Sequence, residues 1–168
     1  MTVIRRHDTP EGWREAVYSD CGLYRYLLSI SWDEAARHLA CVMLNPSQAT
    51  ELANDPTIER CERWARALGF GRLSVVNLFA FRETSPSNLK TAAHPEGADN
   101  KRFLEDVARN ADTILAAWGV HGAYRDQGVR VEALLRAKGK PVVTLGLTKS
   151  GHPRHPLYVA YATEPQAW

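Results

Sequence analysis

Cysteine is scarce in this chain: three residues in 168, at positions 21, 41 and 61. No C-x-x-C pair occurs, which excludes a zinc ribbon or a cysteine-held iron–sulfur cluster. Cys41 sits in an apolar run and Cys61 on the apolar side of a helical stripe, so both read as small core residues. Long apolar runs are also missing, and nothing approaches the roughly 18 residues that a membrane helix needs. Met1–Thr9 carries Arg5, Arg6, His7 and Asp8 and no apolar stretch. A secretory signal is therefore not expected, and the cysteine usage points to a reducing cytoplasm. Charge of one sign is absent as well. The 21 Lys and Arg stand against 19 Asp and Glu, a formal net charge of +2, which tolerates a polyanionic partner without demanding one. The phosphate-loop patterns G-x-x-x-x-G-K-[ST] and G-x-G-x-x-G are missing, and so is the G-x-S-x-G of serine hydrolases.

Secondary structure is marked clearly. Tyr24–Trp32 (YRYLLSISW) reads as a strand, and Leu39–Leu44 (LACVML) as a short strand buried on both faces. The short link between them predicts an antiparallel pair. Asp55-Pro56 opens a helix, with Asp as N-cap and Pro at the first position, carrying a stripe of Ile58, Cys61, Ala65 and Leu68. Gly69 and Gly71 close it. Leu73–Phe81 is the next strand. A helix from Asp99-Asn100 buries Phe103, Leu104 and Val107. Thr113–Trp118 is a strand, Gln127–Lys138 a helix and Pro141–Leu147 a strand.

From Leu39 onward strands and helices alternate. This predicts one domain over 1–168 of class α/β: a three-layer α/β/α fold with a mostly parallel sheet and an N-terminal antiparallel strand. Residues 1–22 are set aside as an N-terminal extension. Ligands of such sheets bind beyond the carboxyl ends of the strands, and the unusual polar residues of this chain gather there.

Each of these residues has two readings. Asn45-Pro46-Ser47 makes a plain turn, or its Asn orients a water or a ligand. Asp55 is a helix cap, a carboxylate that helps to activate water, or both. Asn77 interrupts the apolar VVNLFAF and must find partners, in a neighbouring loop or in a ligand. Phe79 and Phe81 pack in the core or offer a stacking face, and Arg82 is an anion contact at the strand end. Trp118 is core or pocket wall, Gly119 permits close backbone approach, and His121 is a solvated loop residue. In Thr148–Tyr158 (TKSGHPRHPLY) prolines stiffen a loop that presents His152 or His155, with Lys149 and Arg154 supplying positive charge. Two His three residues apart, without further donors, do not make a metal site, and no cofactor is expected.

As a set, MLNPS, NDPT, VVNLFAFR, ILAAWG and the L-G-x-T-x-x-G-H-P-x-H-P-L-Y tail resemble the bacterial domain-of-unknown-function family 1643, over roughly Tyr24 to Tyr158. That likeness names no chemistry. More distantly, Asn45-Pro46 is similar to the water-activating G-I-N-P-G motif of the uracil-DNA glycosylase superfamily. His152–Leu157 is similar to its H-P-S-x-L loop, which grips the minor groove of DNA. The chain departs from that pattern in having Leu44 and Ser47 where glycines are typical.

This second resemblance implies a uracil-DNA glycosylase-like domain. In it Asn45 positions the attacking water, Phe79 or Phe81 stacks on the base, Asn77 reads the base edge, and His152 or His155 stabilises the departing base. The partner implied is DNA or a nucleotide, bound with help from Lys149, Arg154 and Arg82. A non-catalytic nucleotide or nucleic-acid binder and a small-molecule enzyme are the alternatives.

Overall fold

The computed structural model describes residues 1–168. Eight strands form one sheet: β1 (Thr2–Thr9), β2 (Gly12–Ser19), β3 (Arg25–Ser31), β4 (Arg37–Met43), β5 (Phe70–Asn77), β6 (Thr113–Ala116), β7 (Val142–Thr144) and β8 (Gln166–Ala167). The helices are α1 (Pro56–Ala67), the single turn α2 (Pro86–Leu89), α3 (Asn100–Asn110) and α4 (Gln127–Arg136). No helix is long and apolar enough to cross a membrane.

The spatial order is β1-β2-β3-β5-β4-β6-β7-β8. Pairs β1–β2, β2–β3, β3–β5 and β7–β8 are antiparallel, and β5–β4, β4–β6 and β6–β7 are parallel. This overturns the expected three-layer, mostly parallel, uracil-DNA glycosylase-like fold: the sheet is mixed and antiparallel pairings predominate. The reason lies in the first 22 residues. Residues 2–19 form a hairpin, β1–β2, whose second strand pairs with β3, with a register shift between Val17 and Tyr18, and extends the sheet by two antiparallel strands. The C-terminal residues add a third antiparallel edge as β8.

The expected β3–β4 pair does not form either. Both edges of β4 are taken by β5 and β6, and β3 lies beyond β5, with Leu28 opposite Val75 and Ile30 opposite Leu73. A short link constrains where the next strand starts but not which edge it joins.

Alternation along β4 splits the core. Leu39, Cys41 and Met43 join one apolar cluster with Ile58, Cys61, Trp64 and Ala65 of α1. Ala40 and Val42, with Leu44 just beyond the strand, join another with Leu104 and Val107 of α3 and Val131 and Leu135 of α4. A strand buried on both faces reads as a continuous apolar run for this reason. In α1, Asp55 caps the helix by accepting from the Ile58 N–H at 2.9 Å, and Pro56 occupies the first turn. Trp64 completes the stripe, while Leu68 is the exposed C-cap.

Candidate active site

The strand ends of β4, β5 and β6 and the loop after β7 converge on one pocket of about 850 Å³. That volume suits a ligand of nucleotide size, since small-molecule sites run roughly 300–1,000 Å³. Its wall includes Asn45, Ser47 and Asp55, Asn77, Trp118 and Gly119, and Lys149, Arg154 and His155. No group of three His, Cys, Asp or Glu gathers anywhere to hold a metal ion.

The loop from Asn45 to Asp55 is held from behind. Arg14 of β2 donates to the Thr50 and Glu51 carbonyls and to Asn54 Oδ1, and the Tyr18 hydroxyl donates to Glu51 Oε2 at 2.8 Å. Arg25 of β3 donates to the Ala49 carbonyl at 2.6 Å. The hairpin thus anchors the loop that carries Asn45 and Asp55. Asn45 Nδ2 donates to the Pro46 and Glu83 carbonyls, which leaves its Oδ1 without a partner in the chain. Asp55 Oδ1 accepts from the Ile58 N–H, and its Oδ2 accepts from the Ala49 N–H at 3.2 Å.

Asn77 ends β5 and is 1% exposed, and neither Oδ1 nor Nδ2 has a hydrogen-bond partner. Asn100 Nδ2 donates to the Asn77 and Leu78 carbonyls, and Gln127 donates to the Leu78 carbonyl. These contacts fix the backbone around Asn77 and leave its carboxamide free. Buried polar groups are nearly always paired, so this carboxamide in the pocket wall is an exception.

Gly119, at φ +74, turns the chain after β6, and its N–H donates to the Pro153 carbonyl at 2.7 Å. This docks the histidine loop beside the strand end, and the positive φ at 119 is a conformation that side-chain-bearing residues rarely adopt. His155 caps the short 3-10 turn Pro156–Tyr158 by accepting the Leu157 N–H at Nδ1. The ring proton therefore sits on Nε2. Burial pushes the His155 pKa down, while the Asp55 carboxylate opposes that shift. The ring is accordingly neutral at physiological pH, with one donor to offer. His121 also lines the pocket, and burial together with Lys90 lowers its pKa.

Several residues singled out in the sequence lie elsewhere. His152 belongs to the Leu147–Pro153 hairpin, where its N–H donates to Thr148 Oγ1. Phe79 is sealed in the core against Tyr124, and Phe81 packs edge-on to Tyr24. The expected strand ran to Phe81, with Phe79 and Phe81 on one face, but β5 ends at Asn77 and the alternation ends with it. Arg82 donates to the Gly22 carbonyl and lies over the Tyr18 ring. Pro46 serves through its carbonyl, which accepts from Glu83 N–H and Asn45 Nδ2. The aromatic surfaces that do reach the pocket are Trp118 and the exposed Tyr158.

Arg25 was missed. It lines the pocket, is 2% exposed, and has its pKa lowered to about 10 by burial. Its signal was present: a lone Arg within YRYLLSISW interrupts an apolar strand just as Asn77 interrupts VVNLFAF.

Residues 25–157 match the family described as Protein of unknown function (DUF1643). No curated protein and no solved structure matches the chain.

Proposed function

This chain belongs to the DUF1643 family, whose description names no reaction, and from that premise we propose that the pocket binds a nucleobase and hydrolyses its N-glycosidic bond, in a nucleotide or in nucleic acid. One observation carries the reading. The Asn77 carboxamide, with one donor group and one acceptor both unpartnered, lines the same pocket as Asn45, Asp55 and His155. A carboxamide suits the lactam or amide edge of a base, which also offers a donor beside an acceptor.

The chemistry needs an attacking water, a stabilised leaving base and a held substrate. Asn45 Oδ1 and the Asp55 carboxylate accept from the water and aim its lone pair at the anomeric carbon. The water oxygen bonds to that carbon as the carbon–nitrogen bond breaks, and the bonding pair leaves on the base. The proton lost from the water passes to Asp55 and then to solvent. The departing base nitrogen takes up a proton in exchange. The neutral His155, donating from Nε2, stabilises negative charge as it develops on the base. Lys149 and Arg154 at the exposed rim contact phosphate.

A reading without turnover draws on a separate observation: both Asp55 oxygens already accept a backbone N–H, so the carboxylate has an evident structural role without any reaction. One experiment separates the two. The protein is incubated with nucleosides, nucleotides and duplexes bearing uracil, hypoxanthine or alkylated bases, and free base is followed by chromatography. Release that falls about a hundredfold in Asn45→Ala and Asp55→Asn supports hydrolysis. Saturable binding with no release from any substrate establishes the binder, and neither binding nor release overturns both.

A further inference from the structure

Arg25 is the one charged side chain of the pocket that is almost wholly buried, at 2% exposed. Its only hydrogen bond in the chain runs from Nη1 to the Ala49 carbonyl, and its Nε has no partner. No carboxylate lies within 4.0 Å of it. Arg14, which is also largely covered, shows the usual solution, with Glu62 at 3.7 Å and hydrogen bonds to Thr50, Glu51 and Asn54. The two carboxylates in the pocket wall form no ion pair or hydrogen bond with Arg25, although the Asp55 charge lies near enough to favour the guanidinium. Asp55 is engaged by the Ile58 and Ala49 N–H groups, and Glu83 Oε1 by those of Thr84 and Ser85. A buried guanidinium left unpaired is strongly unfavourable, and its fork of donors matches phosphate oxygens.

We propose that Arg25 is an anion subsite that seats the terminal phosphate of a small nucleotide, so that the substrate is a mononucleotide and not a polymer. The inference rests on the reading of this pocket as a nucleotide site and narrows it. An internal phosphodiester carries a sugar on each side and cannot bring its oxygens to a guanidinium so deeply covered. A terminal phosphate has three free oxygens and enters end-on. Lys149 and Arg154 in the same wall add donors for a dianion.

Isothermal titration calorimetry with ribose 5-phosphate, ribose, glucuronate and inorganic phosphate tests this without requiring any glycosidic bond. The wild-type protein is expected to bind ribose 5-phosphate at least about tenfold more tightly than ribose or glucuronate. Arg25→Met should erase that preference, and Arg25→Lys should keep part of it, with circular dichroism confirming the fold of each. If Arg25→Met does not fold, the wild-type ratio and Arg25→Lys decide.

Equal binding of ribose and ribose 5-phosphate by the wild type overturns the proposal. So does an undiminished preference in Arg25→Met, which would place the phosphate at Lys149 and Arg154. Glucuronate binding as tightly as ribose 5-phosphate overturns the assignment to phosphate. An Arg25-dependent preference for ribose 5-phosphate, in a protein that releases no base, sinks the hydrolase and leaves this subsite standing.

Discussion

Arg25 and Asp55 grip opposite ends of one residue. Arg25 Nη1 donates to the Ala49 carbonyl at 2.6 Å, and the Ala49 N–H donates to Asp55 Oδ2 at 3.2 Å. A strand, a loop and a helix N-terminus are thereby tied at a single buried residue, and both Arg25 and Asp55 line the pocket. The same carboxylate caps α1 through Ile58. Its structural and proposed chemical roles are not alternatives, because the bonds that orient it for one are the bonds of the other.

Asp55 can be divided experimentally on that basis. Asp55→Ala removes the cap and the Ala49 contact and should cost about 1–2 kcal/mol in urea denaturation. Asp55→Asn keeps an N-cap acceptor and should cost a few tenths of that, while cutting base release about a hundredfold. If the two variants lose the same stability, the cap contributes nothing.

Asn77 should show a trade of stability against function. Its buried carboxamide has no partner, and leaving such a group unpaired costs on the order of 1–3 kcal/mol. Asn77→Leu, which keeps the branched outline and removes the polar atoms, should raise the thermal midpoint of the ligand-free protein. It should weaken ligand binding by about tenfold or more. A drop in midpoint would mean that Asn77 is satisfied within the fold.

His38 sets an acid limit. Its Nε2 meets Ser74 Oγ at 2.8 Å and its Nδ1 faces the Asn110 carbonyl at 3.4 Å. Burial, aided by the nearby Arg72 charge, pushes its pKa from 6.5 down to about 4. Above pH 6.5 the group is neutral in both states and its full contribution is present. As pH falls from 6.5 towards 4 the unfolded chain takes up a proton that the folded chain refuses, so stability is lost across that window. Allowing for partial solvent screening, the loss is on the order of 1–2 kcal/mol. Denaturation at pH 7 and pH 4.5 should show it, and His38→Gln should flatten the dependence; an unchanged profile in that variant would assign the acid sensitivity elsewhere.

Local pattern sufficed for most elements. The Asp55-Pro56 start of α1, its Ile58–Cys61–Ala65 stripe and the doubly buried β4 are consequences of capping and periodicity, which act over a few residues. The strand ends beside Asn45 and Trp118 were readable for the same reason, whereas the end at Asn77 was not, because VVNLFAF reads as one strand to Phe81. Which strand pairs with which was not. The β3–β5 pair, the recruitment of residues 1–19 as β1 and β2, and the edge strand β8 depend on contacts between distant segments that leave no periodic trace.

The pocket divides in the same way. Composition and spacing alone determined that Asn45 ends one apolar run, that Asn77 interrupts another, and that a stiff histidine loop follows the last expected strand. Only the tertiary structure decided that His155 and not His152 reaches the pocket, that Phe79 is sealed away, and that Arg25 is buried there without a carboxylate. A side chain's chemistry is set by its sequence identity. Its partners and its desolvation are set by what the folded chain brings against it, and those terms decide which polar residue is left free to meet a ligand.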